Sequence, residues 1–312
     1  MDIFIHILVN NVIPLSVMIA IGVAMERIFS LNIKTLSKLN FYVFSPAVMF
    51  HLLYTTPISA GLIGTVLLFV AIYLLLLAAL AEIAVRARGL KGGMRGAMRN
   101  SVMFYNSANY GIPINQLAFA GNPYTLSVQI IVMMTQSLLP NTLGIYSVNA
   151  HKSNWRAIGR TILSQPVIYV IPIAFLLRGF QVPIPGAIET PIQYLADAFI
   201  GTALLTLGVQ LGSMSWRISR AQLSNVMISC TLRLVAGPAL AALIVWGLGA
   251  FVELDWQTAS ALIVASAVPS SLSSVLLAVE FDNEPEFSSQ AVFASTLLSI
   301  VTVALVIYFV QI

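Results

Sequence analysis

Residues 104–116, FYNSANYGIPINQ, place two asparagines, a glycine and a proline inside a segment otherwise apolar enough to cross a bilayer. Asn106 and Asn109 are costly in hydrocarbon unless something polar uses them. Gly111 is a natural left-handed stop, and Pro113, with no N–H, suits the first turn of a new helix. The segment reads as a membrane-crossing helix broken midway, its break lining a solute site. Residues 265–278, ASAVPSSLSSVLLA, repeat the pattern around Pro269, with Ser266, Ser270, Ser271, Ser273 and Ser274 supplying hydroxyls where the first break supplies amides. If the two breaks meet at mid-depth, two half-helix N-termini direct N–H groups and positive dipole ends at one place, which favours an anion. Such a pocket reads a carboxylate through backbone N–H groups and the amides of Asn106 and Asn109, with Tyr110 as a stacking or hydroxyl contact. Gly111, Pro113, Pro269, Ser270, Ser271 and Ser273 complete its expected lining. Carbonyls freed on the preceding half-helices suit a cation such as sodium. The competing reading makes each proline and serine an ordinary kink, Ser returning a hydrogen bond to its own backbone. The matched placement of the breaks in the two halves weighs against it.

Other polar groups inside apolar segments are few. Asp197 is either an intramembrane acid with a role in proton coupling or a wetted carboxylate near the outer interface. Gln136, in QSLLPN, is a polar group facing the first break and joins Asn106 and Asn109 as a candidate for holding a coupling ion. Arg233 snorkels, pairs with an acid or contacts solute, and is classed with Pro46 and His51 as structural support. Glu82 reads as solvated, Glu280, Asp282, Glu284 and Glu286 as a solvated loop, and His6 and His151 carry no signal. Cys230, the only cysteine, excludes an internal disulfide and a thiolate metal site and reads as a small buried hydrophobe. The chain has no H-E-x-x-H, G-x-S-x-G, phosphate-cradling loop or paired intramembrane aspartates, so an enzyme is not expected. No metal or cofactor is expected either, beyond a coupling Na+ or H+.

The elements that must position these residues follow from composition. With 59% hydrophobic and 8% charged residues over 312 positions, the chain is far from the roughly 25% charged residues of soluble domains; its mean hydropathy is +0.93. Ten segments match the length of about 20 residues needed to span a bilayer: 4–25, 34–54, 59–84, 97–120, 124–147, 160–179, 190–212, 222–249, 256–280 and 287–311. The first, with Asn10, Asn11 and Pro14 and no cationic leader, reads as a retained span. Thirteen of the fifteen cations sit on alternate connections: Arg27, Lys34 and Lys38; Arg86, Arg88, Lys91, Arg95 and Arg99; Lys152, Arg156 and Arg160; Arg217 and Arg220. Arg178 is the exception, and Arg233 lies within a span. Cations stay cytoplasmic, which places both termini outside. Dispersed over four loops, they signal orientation within membrane lipid and exclude a nucleic-acid patch.

Pro269 follows Pro113 by 156 residues, half of 312. Five spans per half force the halves into opposite orientations, a common plan for secondary transporters. The expected fold is all-α: two inverted five-helix repeats, 1–150 and 151–312, with broken and crossing helices 4 and 9.

These residues resemble the auxin efflux carrier family, within the bile/arsenite/riboflavin transporter superfamily, over essentially the whole chain. Residues 39–53, LNFYVFSPAVMFHLL, with Pro46 and His51, resemble that family's second span. Residues 106–113 resemble its N-x-x-x-x-G-I-P crossover, and Asn106 falls where the plant exporters place a solute-contacting asparagine. Residues 265–281 resemble the second crossover, Asp197 with Gly201 and Gly208 the seventh span, and Arg233 with Pro238 the eighth. Ser274 stands where plant exporters tend to have another proline, and their long cytoplasmic loop is missing between spans five and six. The resemblance implies a scaffold of helices 1, 2, 6 and 7, a moving transport domain of helices 3–5 and 8–10, an elevator-like alternating-access cycle and a homodimer. It implies a bacterial inner-membrane carrier of a small organic anion, either a carboxylate such as malate or malonate or an auxin-like indole acid. A passive anion channel or a membrane receptor on the same fold is the alternative.

Overall fold

The computed structural model describes residues 5, 9, 12–56, 59–139, 143–144, 163–164, 166–214 and 220–310. His6, Asn10, Asn11, His151, Lys152, Arg156, Arg160, Arg217 and the 150/151 boundary lie outside the described residues.

Among them the regular structure is helical, apart from one isolated bridge. Helix α1 (Ile13–Phe29) carries Pro14 in its first turn, where a missing N–H is tolerated. Helix α2 (Ile33–Leu39) runs through a π-helical turn (Asn40–Phe44) into α3 (Ser45–Thr55). Pro46 accounts for the widened turn, because it offers no N–H to the Tyr42 carbonyl and its ring pushes that carbonyl away. Helix α4 (Ala60–Ala87) begins at Ser59, whose hydroxyl accepts the Leu62 N–H at 3.0 Å. Then come α5 (Gly92–Met103), α6 (Gly111–Ala118), α7 (Pro123–Leu138), α8 (Val167–Gly179) and α9 (Gly186–Ser213). Helix α10 (Arg220–Thr231) passes through a second π-helical turn (Leu232–Ala236) into α11 (Gly237–Leu248), and Pro238 again stands just beyond the turn. Helices α12 (Trp256–Ser266), α13 (Leu272–Glu280) and α14 (Pro285–Val310) complete the order.

Among the described residues four helical stretches are long and apolar enough to cross a membrane: Gly61–Ala87, Gly186–Ser213, Gln222–Leu248 and Pro285–Val310. The expected spans 97–120 and 256–280 each appear as two short helices, α5 with α6 and α12 with α13. Both segments are interrupted around the residues that the sequence singled out.

Packing sorts the helices into two groups. In one, α9 lies along α1 and also touches α2 and α3, while α8 packs on α3. In the other, α4 packs on α5, α7 and α11, α7 on α12, α10 on α14, and α13 on α14. The groups meet lightly, through α3 with α7 and α9 with α6. The α1–α9 contact is close because glycines face each other: a Cβ on Gly208 would stand 2.7 Å from the Gly22 Cα. Backbone against backbone cannot yield as a side chain can.

Two charged groups near helix ends are engaged. Glu82 accepts hydrogen bonds from Arg86 at 2.9 Å, from Arg95 at 2.7 Å and from Arg99, tying the end of α4 to α5 rather than facing solvent alone. Arg178, the exception to the cation rule, donates to the Thr56 carbonyl at the end of α3. Cys230 is a free, buried thiol, as its apolar setting led us to expect.

Candidate functional site

Each interruption begins where an α-helix runs out of partners. Helix α5 stops at Met103, and residues 104–110 turn before α6 starts; α12 stops at Ser266, and residues 267–271 lead into α13. The two non-helical stretches pair with each other through an antiparallel bridge between Tyr105 and Ser270. The Asn106 N–H donates to the Pro269 carbonyl and the Ser271 N–H to the Phe104 carbonyl, both at 2.8 Å. Backbone groups freed by one break are thus satisfied by the other, as a chain in a low-dielectric interior requires.

The bridge faces a cavity of about 690 Å³. One wall comes from the second helix group: Tyr105, Asn106, Asn109, Gln136, Ser271 and Ser273. The facing wall comes from the first: Ser37, Lys38, Asn40, Tyr42, Phe199 and Gln210. The cavity therefore lies between the two groups. A second cavity, of about 620 Å³, shares Ser37, Lys38, Leu272 and Leu276 with the first and extends it past Lys34 and Glu286. Lys38 is the one cation among the described residues lining the larger cavity, and no acid is among them.

Polar groups on the walls differ in what holds them. The side chains of Asn106 and Asn109 find no hydrogen-bond partner among the described residues, although Asn106 is only 7% exposed. Gln136 accepts the Tyr105 N–H at 3.3 Å through Oε1, and its Nε2 is buried without a partner among the described residues. Asn40 donates to Thr206 Oγ1 at 2.6 Å and to the Thr202 carbonyl at 3.2 Å, which leaves its Oδ1 unmatched. Ser271 accepts the Ser273 N–H at 3.2 Å and caps α13.

Several expected site residues lie behind this wall. Tyr110 is buried, and its hydroxyl accepts from Ser299 at 3.1 Å. Ser270 donates to the Ser101 carbonyl at 2.6 Å, and its N–H donates to Ser295 Oγ at 3.2 Å. Ser266 and Ser274 bond back to their own local backbone, so at these two positions the ordinary-kink reading describes the hydroxyls. Pro113 is the third residue of α6, and Pro269 contributes its carbonyl to the bridge. Gly111 is not left-handed: it is absent from the positive-φ glycines, and its need is for space. A Cβ there would collide with the amide of Gln129, which donates to the Ser107 carbonyl at 2.7 Å. The α6 N-terminus is also less bare than expected, because the Gly111 and Ile112 N–H groups donate to the Asn106 and Ala108 carbonyls at 2.9 and 3.2 Å. Asp197 is exposed on α9 and does not line the cavity; Pro46 is buried and His51 half-buried on α3, also away from it.

Asn40, Gln210, Ser37 and Tyr105 were not singled out by sequence reasoning. The sequence carried no distinctive signal for Asn40, because Pro46 also fits an ordinary helix start; in the structure Asn40 is the first residue of the π turn. Such turns recur where a helix must aim a side chain.

Comparison with known proteins points to a membrane transporter. A family model described as a membrane transport protein matches residues 150–307. Over 302 residues, 95% of this chain and 96% of the relative, the chain is 25% identical to an uncharacterized transporter of Methanothermobacter thermautotrophicus.

Proposed function

This chain belongs to the membrane transport protein family, and on that premise we propose that it is a secondary active carrier of a small organic anion, bound between the two helix groups at the paired breaks. The membership agrees with the resemblance to the auxin efflux carriers, and it makes the chain a multi-pass membrane transporter and not an enzyme.

The observation that carries the anion reading is the pair of unpartnered carboxamides, Asn106 and Asn109, on a cavity with one cation and no acid among its described lining residues. Carboxamides that face the cavity with no protein partner are free to donate their N–H groups to a bound carboxylate, a charge-assisted hydrogen bond. A volume of about 690 Å³ admits a dicarboxylate or an indole acid. The two-group packing supports a scaffold of spans 1, 2, 6 and 7 against a moving body of spans 3–5 and 8–10. The plan proposed for them is two inverted sets of five, with spans 4 and 9 crossing at the paired breaks. Sliding of one body against the other is an elevator-like cycle. The adjoining cavity opens past Lys34 and Lys38, which the positive-inside rule puts on the cytoplasmic side of a bacterial inner membrane, both termini outside. A homodimer accords with this plan.

Counterflow tests it. Proteoliposomes preloaded with malonate, malate or indole-3-acetate are expected to accumulate the matching radiolabelled acid above equilibrium. Equilibration without overshoot for every acid tried would assign the protein to the channels, and binding without any flux would make it a receptor.

A further inference from the structure

The second π-helical turn buries Arg233 completely, at 0% exposure. No carboxylate lies within 4.0 Å of its guanidinium among the described residues. A buried charge with no counter-charge is among the costliest states available to a side chain, so something else must balance it. Its contacts show what does. Nη1 donates to the Val102 carbonyl at 3.2 Å, and Nη2 donates to the Ser266 carbonyl and to the Tyr73 hydroxyl, the latter at 2.6 Å. The guanidinium carbon stands 4.5 Å from the Tyr105 ring centroid and 5.7 Å from that of Tyr73. Val102 lies in the last turn of α5 and Ser266 is the last residue of α12. These are the C-terminal ends of the two half-helices that precede the breaks.

A helix C-terminus exposes unpaired carbonyls and carries roughly −0.5 of an elementary charge, so two such ends at one point amount to about one negative charge. One guanidinium matches that total, and its planar fork reaches both ends at once as an ammonium could not. The neighbouring Ser101 carbonyl is also occupied, by the Ser270 hydroxyl. The carbonyls on which a coupling sodium ion would depend already hold a cation, and it is covalently attached.

We propose that Arg233 is the resident counter-cation of the paired breaks: it occupies the carbonyl cradle between Val102 and Ser266, so the protein binds no sodium there. This role stands apart from the anion-carrier reading.

The test uses the purified full-length protein and needs no solute. Binding of radioactive sodium is measured directly, and thermal unfolding is compared in sodium chloride and choline chloride at equal ionic strength. Wild type is expected to show no saturable sodium binding and the same Tm in both salts. Arg233→Ala is expected to unfold several degrees lower and to be restored in part by methylguanidinium at sub-denaturing concentration, which leaves wild type unmoved. Saturable sodium binding by wild type with a rise in Tm, kept when Asn106, Asn109 and Gln136 are each replaced by Ala, overturns the proposal. So does an Arg233→Ala protein as stable as wild type, or one that methylguanidinium does not restore. If that variant does not fold, the wild-type sodium measurement decides alone. Failure here leaves the solute cavity standing, and failure of counterflow leaves Arg233's role standing.

Discussion

The serines of the second break divide into two kinds, and substitution should separate them. Ser270 is 1% exposed and donates to the Ser101 carbonyl, so Ser270→Ala leaves a buried acceptor unmatched. It is expected to cost about 1–3 kcal/mol of stability, read as a lower Tm, with solute affinity changed only through folding. Ser273 lines the cavity, and Ser273→Ala should weaken solute binding while Tm holds; the reverse pattern would exchange their roles. Asp197 is exposed on α9 and outside the cavity. We expect Asp197→Asn to leave solute affinity unchanged, and pH-driven uptake that survives the substitution removes the residue from proton coupling. Of the residues chosen from sequence, Asn106, Asn109, Gln136, Ser271 and Ser273 line the cavity, while Tyr110, Ser270 and Pro269 hold the break together. Sequence marks a polar residue in an apolar run but not which way it turns, because a hydroxyl facing solute and one facing a carbonyl are equally polar.

Helices, and what joins them, govern a different set of outcomes. Gly208 and Gly22 let α9 and α1 approach until backbone meets backbone, so Gly208→Val must separate the helices. A loss of about 1–3 kcal/mol or more is expected, measurable as reduced Tm in detergent, and a normal Tm would mean the close contact does not form. On the other group, Asp255 caps α12 by accepting the Thr258 N–H and hydroxyl, both at 2.7 Å, and the Tyr124 hydroxyl at 2.9 Å, which ties α12 to α7. Burial by itself would raise the Asp255 pKa, but hydrogen bonds from Thr258, Tyr124 and the Gln257 backbone outweigh it and hold the group below its ordinary 3.8. A lowered folded pKa gives stability that is full above the unfolded value and lost as pH falls through the folded one. Acid unfolding below about pH 4 should therefore flatten in Asp255→Asn relative to wild type; identical acid limbs would show that the cap does not titrate with folding. Helix breaks at Pro113 and Pro269 were legible because proline and glycine punctuate a helix whatever surrounds it. The π turns were not, since a proline in the first turn of an α-helix also fits an ordinary start, and only coordinates show the ladder widening before it.

Taken whole, the molecule is two helix bodies with a polar cavity between them and a paired pair of breaks on one wall. Composition alone placed the chain in a bilayer, because a sequence with 8% charged residues cannot cover a soluble surface. The division into two bodies came from elsewhere: no loop signal marks it, as each body is assembled from spans distant in sequence, and it was expected only through family resemblance. Arg233 shows the same limit, for its role depends on α5 and α12 ending at one point, a long-range fact that no local motif encodes. Transport as proposed requires that Asn106 touch the solute. A thermal-shift titration of purified wild type and Asn106→Ala with malonate, malate and indole-3-acetate tests this directly, since a ligand at 100 times its Kd stabilises by about 2.7 kcal/mol. At least one acid is expected to raise the wild-type Tm, and the variant, with a ligand-free Tm close to wild type, to need about tenfold or more of the same acid for an equal rise. An equal response from both proteins would contradict it.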